Sequence, residues 1–262
     1  MLKFTHQVFD GGIIAITAVM GEQIYVVVGS KQAMVIDTGM GIGSLKTHLD
    51  KLLDLPYFVV NTHGHPDHGG GNGEFAQVYL HPADHELYAA MASVEFRRFD
   101  LQRILEKSTP EYDDAMVPFM DRLLPLADGM TFDLGDRIIT TIHLPGHTSG
   151  SVAFYDEATK SLFSGDTVTA TDTWLYQPHC ESLTRYGESL EKLLNTYPQI
   201  EMIYPGHRPT PIPMDTTRSK LECVRRVLSK EEVGIHAETF AGEGLRVEVD
   251  GVGIIYDPDH LK

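Results

Sequence analysis

Residues 61 to 70 read NTHGHPDHGG. This stretch sets His63, His65, Asp67 and His68 within six positions, directly after the apolar run Tyr57–Val60, which reads as a strand. Imidazole and carboxylate are the ligands of borderline ions such as zinc. Four donors on so tight a loop cannot all point at one ion. His63 and His65 can face one ion while Asp67 and His68 turn toward a neighbour, with Pro66 and the flanking glycines letting the backbone bend. Three further segments repeat one form, an apolar strand, a glycine turn and a ligand-type residue. IHLPGHTSGS supplies His147, LFSGDT supplies Asp166 and MIYPGHR supplies His207. Five histidines and two aspartates suit two ions bridged by one carboxylate. Two divalent ions about 3.5–4 Å apart can hold a bridging water and make it hydroxide near neutral pH. One of them then polarises a carbonyl or phosphoryl oxygen. The chemistry is hydrolysis without a side-chain nucleophile, in which Asp67 and Asp166 can orient the hydroxide and one of the two can carry a proton to the leaving group.

The segments IDTG at 36–39, 61–70, 145–150, 164–167 and 205–207 follow one another in a fixed order. In this the chain resembles the metallo-β-lactamase-fold hydrolases, on the branch that includes glyoxalase II and the lactonases. The resemblance implies an α+β fold, a four-layer αββα sandwich with its metal site at one edge between the sheets. It implies that His63, His65 and His147 hold the first ion, Asp67, His68 and His207 the second, and that Asp166 bridges them. It implies that Asp37 supports the site from behind the ligands. Zinc is the expected metal, with iron and manganese as alternatives.

Departures from the named relatives narrow the substrate. The zinc β-lactamases with a cysteine ligand would need cysteine where Asp166 stands. The segment 167–187 lacks the glycine- and phenylalanine-rich pattern of glyoxalase II, and Thr169 stands where the acyl-homoserine lactonases place a tyrosine. Flavin-linked di-iron relatives carry an acidic residue where this chain has His65. The expected function is hydrolysis of a small ester-like bond, thioester, lactone or ester. A phosphodiesterase on the same metal pair and a metal-dependent sensor without turnover are the alternatives.

The elements that must position these donors are read from periodicity. Strands are expected near Ile13–Thr17, Ile24–Val28, Ala33–Ile36, Tyr57–Asn61, Val78–Leu80, Arg137–Leu144, Val152–Tyr155 and Ser161–Phe163, and helices at Leu45–Leu53, Glu188–Asn195 and about Thr216–Lys230. Residues 84–125 interrupt this rhythm with two or three helices, read as a packed hairpin or as a cap over the metal site with Phe96, Phe99, Tyr112 and Phe119 as candidates for its inner face. Arg97, Arg98 and Arg103, set among Glu95, Asp100 and Glu106, read as a solvated helix face. The segment after Asp166 holds Trp174, Tyr176, His179 and Tyr186, expected to line the substrate pocket. Arg208, beside His207, is the one basic residue adjacent to a ligand and would favour an anionic substrate. His81 and His85 are expected to have local structural roles. LRVEV at 245–249 and VGIIY at 252–256, joined by Asp250-Gly251, read as a C-terminal β-hairpin over about 244–257, which either closes a sheet or meets a second subunit.

The 262 residues suit a single domain with an insertion, and 42% hydrophobic and 22% charged residues are ordinary globular values. No run approaches the roughly 20 apolar residues of a membrane span. The N-terminus MLKFTHQVFDGG lacks an apolar signal core, and Cys180 and Cys223 make no disulfide framework, so a cytoplasmic location is expected. A net charge of −16 repels nucleic acid. A small-molecule substrate is expected, and a homodimer is the commonest assembly for such a chain.

Overall fold

The computed structural model describes residues 4–105, 112, 116–208 and 210–262. The first sheet runs in chain order: β1 (Thr5–Phe9), β2 (Ile13–Thr17), β3 (Gln23–Val28), β4 (Ala33–Ile36), β5 (Tyr57–Val60), β6 (Val78–Leu80) and β7 (Leu123–Pro125). It is antiparallel as far as β4 and parallel from β4 to β7. The second sheet comprises β8 (Thr131–Asp133), β9 (Ile138–His143), β10 (Val152–Asp156), β11 (Ser161–Gly165), β13 (Met202–Pro205) and β14 (Ile212–Pro213). Its β11–β13 pair is parallel. The inner faces of the two sheets meet in a core in which Ile13, Tyr25, Met34 and Val60 pack against Phe132, Ile139, Phe154 and Phe163.

Helices cover both outer faces, completing the four layers. On the first sheet lies the helix Leu45–Leu52, capped by Ser44 and buried through Leu45 and Leu49. On the second lie Leu183–Thr196 and Asp215–Leu228. Leu183, Tyr186, Leu190 and Leu193 recur at helical spacing and are all buried, which is the amphipathic stripe that docks the helix. That helix begins five residues earlier than periodicity suggests, because Ser182 accepts from the Arg185 amide and caps it there.

The C-terminal hairpin is β16 (Gly242–Val249) and β17 (Val252–Tyr256), paired Val249 to Val252 across Asp250-Gly251. It closes a third sheet with β15 (Ile235–Thr239) and β12 (Asp172–Leu175), the last running parallel to β17.

The insertion forms the helices His85–Met91 and Val94–Leu105 and then returns to the first sheet as β7. Its residues 106–111 and 113–115 lie outside the described ones. One expectation is corrected here. Arg97 is no part of a solvated face: it is fully buried and donates to the carbonyls of Ala92, Met40, Gly41 and Val117, while Asp100 is 6% exposed. Charge spacing alone cannot separate a solvated arginine from one whose five donors meet a ring of backbone carbonyls.

Candidate metal centre

Parallel pairs bring carboxyl ends to one edge, and the donors sit there. Asp37 follows β4, residues 61–70 follow β5, Asp166 follows β11 and His207 follows β13. His147 stands on the turn between β9 and β10.

Three buried nitrogens converge. His65 Nδ1 lies 3.0 Å from His63 Nε2 and 3.0 Å from His147 Nε2. Tetrahedral zinc with Zn–N of about 2.0–2.1 Å needs ligand nitrogens roughly 3.3 Å apart, so this spacing fits one small ion. A second group brings Asp67, His68 and His207 together, and a third joins His63, His68 and Asp166. His207 Nε2 is 3.3 Å from Asp67 Oδ2 and 3.2 Å from Asp166 Oδ2, and His68 Nε2 is 3.6 Å from both Asp67 Oδ2 and Asp166 Oδ1. His68 Nε2 and Asp166 Oδ1 are buried without hydrogen-bond partners. Buried polar atoms of this kind normally have partners, and a cation supplies them. Gly206 leaves the room, since a Cβ there would stand 2.4 Å from Asp166 Oδ1 and 2.7 Å from His68 Cε1.

The electrostatics suit cations. Burial, followed by the neighbouring histidines, pushes His63 and His65 well below the usual imidazole value, so their nitrogens keep lone pairs. Burial opposes ionisation of Asp67 and Asp166, yet His68 and His207 outweigh it and hold both carboxyls below their usual range. Burial likewise opposes charge on His68 and His207, and the surrounding aspartates prevail, raising His207 to about 10.

The outer nitrogens are also held. His68 Nδ1 donates to Asp37 Oδ2 at 2.8 Å, and Asp37 also accepts from the Thr62 amide and hydroxyl. That hydroxyl in turn meets His63 Nδ1 at 3.0 Å. Asp37 adopts φ +67°, a left-handed conformation that aspartate tolerates better than most residues. His147 Nδ1 meets the Trp174 carbonyl at 2.8 Å, and His65 Nε2 meets His179 Nε2 at 2.6 Å. Asp84 accepts from the amides of Gly64 and Gly150 and from the Thr148 hydroxyl, tying together the two loops that carry histidines. Asp84 escapes a reading by motif, and His179, expected to line the substrate pocket, instead meets His65; neither has ligand spacing. The HPADHE stretch marks Asp84 only as a residue among turn formers. His81 and His85 make local contacts, His81 Nδ1 with the Ala83 amide and His85 Nε2 with the Leu80 carbonyl.

Beside the donors lies a cavity of about 300 Å³, within the range of small-molecule sites. His65, Asp67, His147, Asp166 and His207 form one wall. Met20, Met40, Met91, Ile104, Trp174 and Phe240 supply its apolar surface. Met91, Asp100, Arg103 and Ile104 come from the insertion, so part of it walls this cavity. Arg103 is engaged by Asp100 and lies over the rings of Phe99 and Phe240.

Of the expected lining residues, Trp174 is in the wall and the others are not. Tyr186 is fully buried and donates to the Thr167 carbonyl, Tyr176 is 9% exposed and bonded to Thr239, and Arg208 is exposed outside the cavity. Tyr186 serves packing in the core beneath its helix, and Tyr176 is taken up by Thr239 and the ring of Trp174. Among the candidates for the inner face of the insertion, Phe99 and Phe119 are exposed, Phe119 stacks on Tyr88, and Tyr112 packs on the cluster of Met40, Ile42 and Leu101. Phe96 is half-buried beside Phe99, and none of the four lines the cavity.

The metallo-beta-lactamase superfamily matches residues 19–207. The chain belongs to that superfamily. It is 32% identical over 201 residues to the acyl-coenzyme A thioesterase MBLAC2 of Bos taurus, covering 70% of this chain and 72% of that one. It is 28% identical to a hydroxyacylglutathione hydrolase of Bdellovibrio bacteriovorus, covering 73% and 61% of the two chains. Among solved structures it resembles TTHA1623 in a di-iron-bound form, with a TM-score of 0.57 and 28% identity over 75% of this chain and 92% of that one. The chain is an enzyme of the metallohydrolase class. Among the described residues no helix is long and apolar enough to cross a membrane.

Proposed function

We propose that this chain is a two-metal hydrolase of small acyl thioesters, with zinc as its resident ion. His63, His65 and His147 hold one ion, Asp67, His68 and His207 hold the other, and Asp166 is shared. The observation that carries the reading is the position of Asp166. One of its oxygens faces His68 at 3.6 Å, and the other faces His147 at 3.7 Å and His207 at 3.2 Å, so one carboxylate borders both groups of donors.

When bound, divalent ions supply Lewis acidity toward the substrate carbonyl and a water acidified to near neutral pKa. The residues of the chain do the rest. Asp37 and Thr62 hold His63 and His68 in their tautomers, with Nε2 of each turned inward. Asp67 reaches the cavity, where its carboxylate would take the proton released by the attacking water and hand it to the departing thiolate. A thiol has a pKa of about 8.5, so it leaves with little help from an acid. The apolar wall of Met20, Met40, Met91, Ile104, Trp174 and Phe240 excludes water and accommodates an acyl group. The relative named as an acyl-coenzyme A thioesterase supports thioesters over lactones.

The test sets thioesters, lactones, simple esters, β-lactams and phosphodiesters before the zinc-, iron- and manganese-loaded protein, with Asp166→Ala as blank and metal content measured in parallel. Thioester turnover with two ions per chain is expected. Turnover confined to phosphodiesters, or full activity with one ion, overturns the reading.

A further inference from the structure

We infer that His179 is a positioning residue of the metal centre: it accepts a hydrogen bond from the outer nitrogen of His65 and thereby holds Nδ1 of that ligand toward the ion. The inference rests on the metal-binding reading above and not on the identity of the substrate.

Nδ1 of His65 faces the ring nitrogens of His63 and His147, at 3.0 Å from each. A ligating nitrogen offers a lone pair, so a neutral His65 carries its proton on Nε2. That Nε2 lies 2.6 Å from Nε2 of His179, with the rings 4.7 Å apart and inclined at 78°. One nitrogen of the pair must donate and the other accept. The tautomer of His65 settles which, making His179 the acceptor with its own proton on Nδ1. His179 is therefore not a further ligand, because the nitrogen it turns toward the site is already occupied by His65.

The placement of His179 gives the contact its leverage. It sits on the turn Gln177–Cys180, closed by the Cys180 amide on the Gln177 carbonyl, directly after β12. The carbonyl of Trp174, on β12, meets Nδ1 of His147. One short segment thus orients two of the three converging histidines, while Thr62 and Asp37 serve the third. The segment is itself anchored. β12 pairs with β17 from Asp172–Gly253 to Leu175–Tyr256. The fully buried Lys220 ties Thr169 and Thr171 to Gly253. The residues after Asp166 and the C-terminal sheet form an outer frame for the metal site, over and above any contact with substrate.

The test uses the full chain and reads metal binding directly, with no substrate. Zinc affinity is measured by chelator competition, and cobalt is titrated stepwise while its visible absorption is followed. His179→Phe keeps an aromatic ring and removes the acceptor. His179→Gln returns an acceptor oxygen. Loss of an outer partner of a metal ligand costs roughly 10–100-fold in affinity. We expect that loss for His179→Phe at the ion held by His65, an altered cobalt spectrum, and recovery to within about threefold in His179→Gln. In a His65→Ala background, His179→Phe is expected to cost nothing further, since the pair acts as one unit. An unchanged affinity in His179→Phe overturns the inference. So does an equal loss in the Phe and Gln variants that tracks a lower unfolding midpoint of the metal-free proteins, which is the mark of a packing role alone. Absence of hydrolysis across every substrate, with the Phe–Gln difference intact, would sink the proposed thioesterase and leave this inference standing. Failure of the wild-type chain to bind zinc or cobalt would sink both.

Discussion

The carboxylate of Asp84 accepts from the backbone amide of Gly150 at 2.7 Å, joining the loop after β6 to the turn that carries His147. The same carboxylate accepts from the Gly64 amide at 2.8 Å, between His63 and His65, and from the Thr148 hydroxyl at 2.7 Å. Asp84 is 1% exposed. Burial raises its pKa and the three donors oppose that rise, so the group behaves as a buried acceptor shared by two ligand loops.

Asp84→Ala removes that acceptor and leaves two buried amides unpaired, each costing about 1–3 kcal/mol. The expected loss of folding stability is about 3 kcal/mol, read from urea unfolding. Asp84→Asn keeps one acceptor oxygen and should lose less. Zinc affinity should fall in both variants, in the same order. Unchanged stability in Asp84→Ala would show that the loops hold each other without this residue.

On the proposed two-metal reading, Asp166→Ala and His65→Ala each delete a metal donor rather than an outer partner. Since outer partners cost about 10–100-fold, turnover and metal affinity should each fall by more than about 100-fold. Metal content by atomic emission and initial rates check this together. Arg208→Ala, outside the cavity, should leave turnover of neutral thioesters within about twofold, an expectation grounded in its surface position.

Arg97→Lys tests the buried guanidinium. An ammonium is a point charge with three donors and cannot match a planar fork that meets the carbonyls of Met40, Gly41, Ala92 and Val117. We expect a loss of about 1–3 kcal/mol for each buried carbonyl left without its donor. Met40 is part of the cavity wall. The Michaelis constant of the variant should therefore rise even at temperatures where it remains folded. A midpoint equal to that of wild type would show that an ammonium satisfies these carbonyls as well as the guanidinium does.

The pH dependence of stability has an identifiable contributor away from the metal. His81 stacks on His143 with ring centroids 4.1 Å apart and planes at 14°. Burial first, and then the neighbouring His143 and His85, lower its pKa from 6.5 to about 4. In the unfolded chain His81 takes up its proton as pH falls below about 6.5. In the folded chain it does so only near 4. Between these values the unfolded state binds more protons, so stability declines as pH drops through that window. His81→Asn retains an acceptor for the Ala83 amide and does not titrate. The slope of stability between pH 6.5 and 4.5 should be shallower in this variant, with little change at pH 7.5. Parallel slopes for the two proteins would exclude His81.

Local order is what made the donors legible. The spacing within NTHGHPDHGG and the repeated strand, glycine turn and ligand pattern named seven residues, and the structure brings all seven into three overlapping groups. The short apolar runs at β2 to β5 were equally readable, because propensity acts over a few neighbouring residues. The start of the helix at Leu183 was missed because a single cap, Ser182, outweighs a window of propensity.

What the sequence determined by itself was the inventory: the donor types, their order, and strands that end where the donors begin. The tertiary structure decided what lies behind and beside them. Asp84, His179 and Arg97 carry no motif, since their partners stand 20 to 114 residues away in the chain or are backbone atoms with no letter in the sequence. The same holds for Tyr186, which turned into the core, and for Tyr176, which is bonded to Thr239, while Trp174, two residues before Tyr176, faced the cavity. Which side of a helix or strand meets the core depends on packing against elements far along the chain, and only the fold supplies that neighbour.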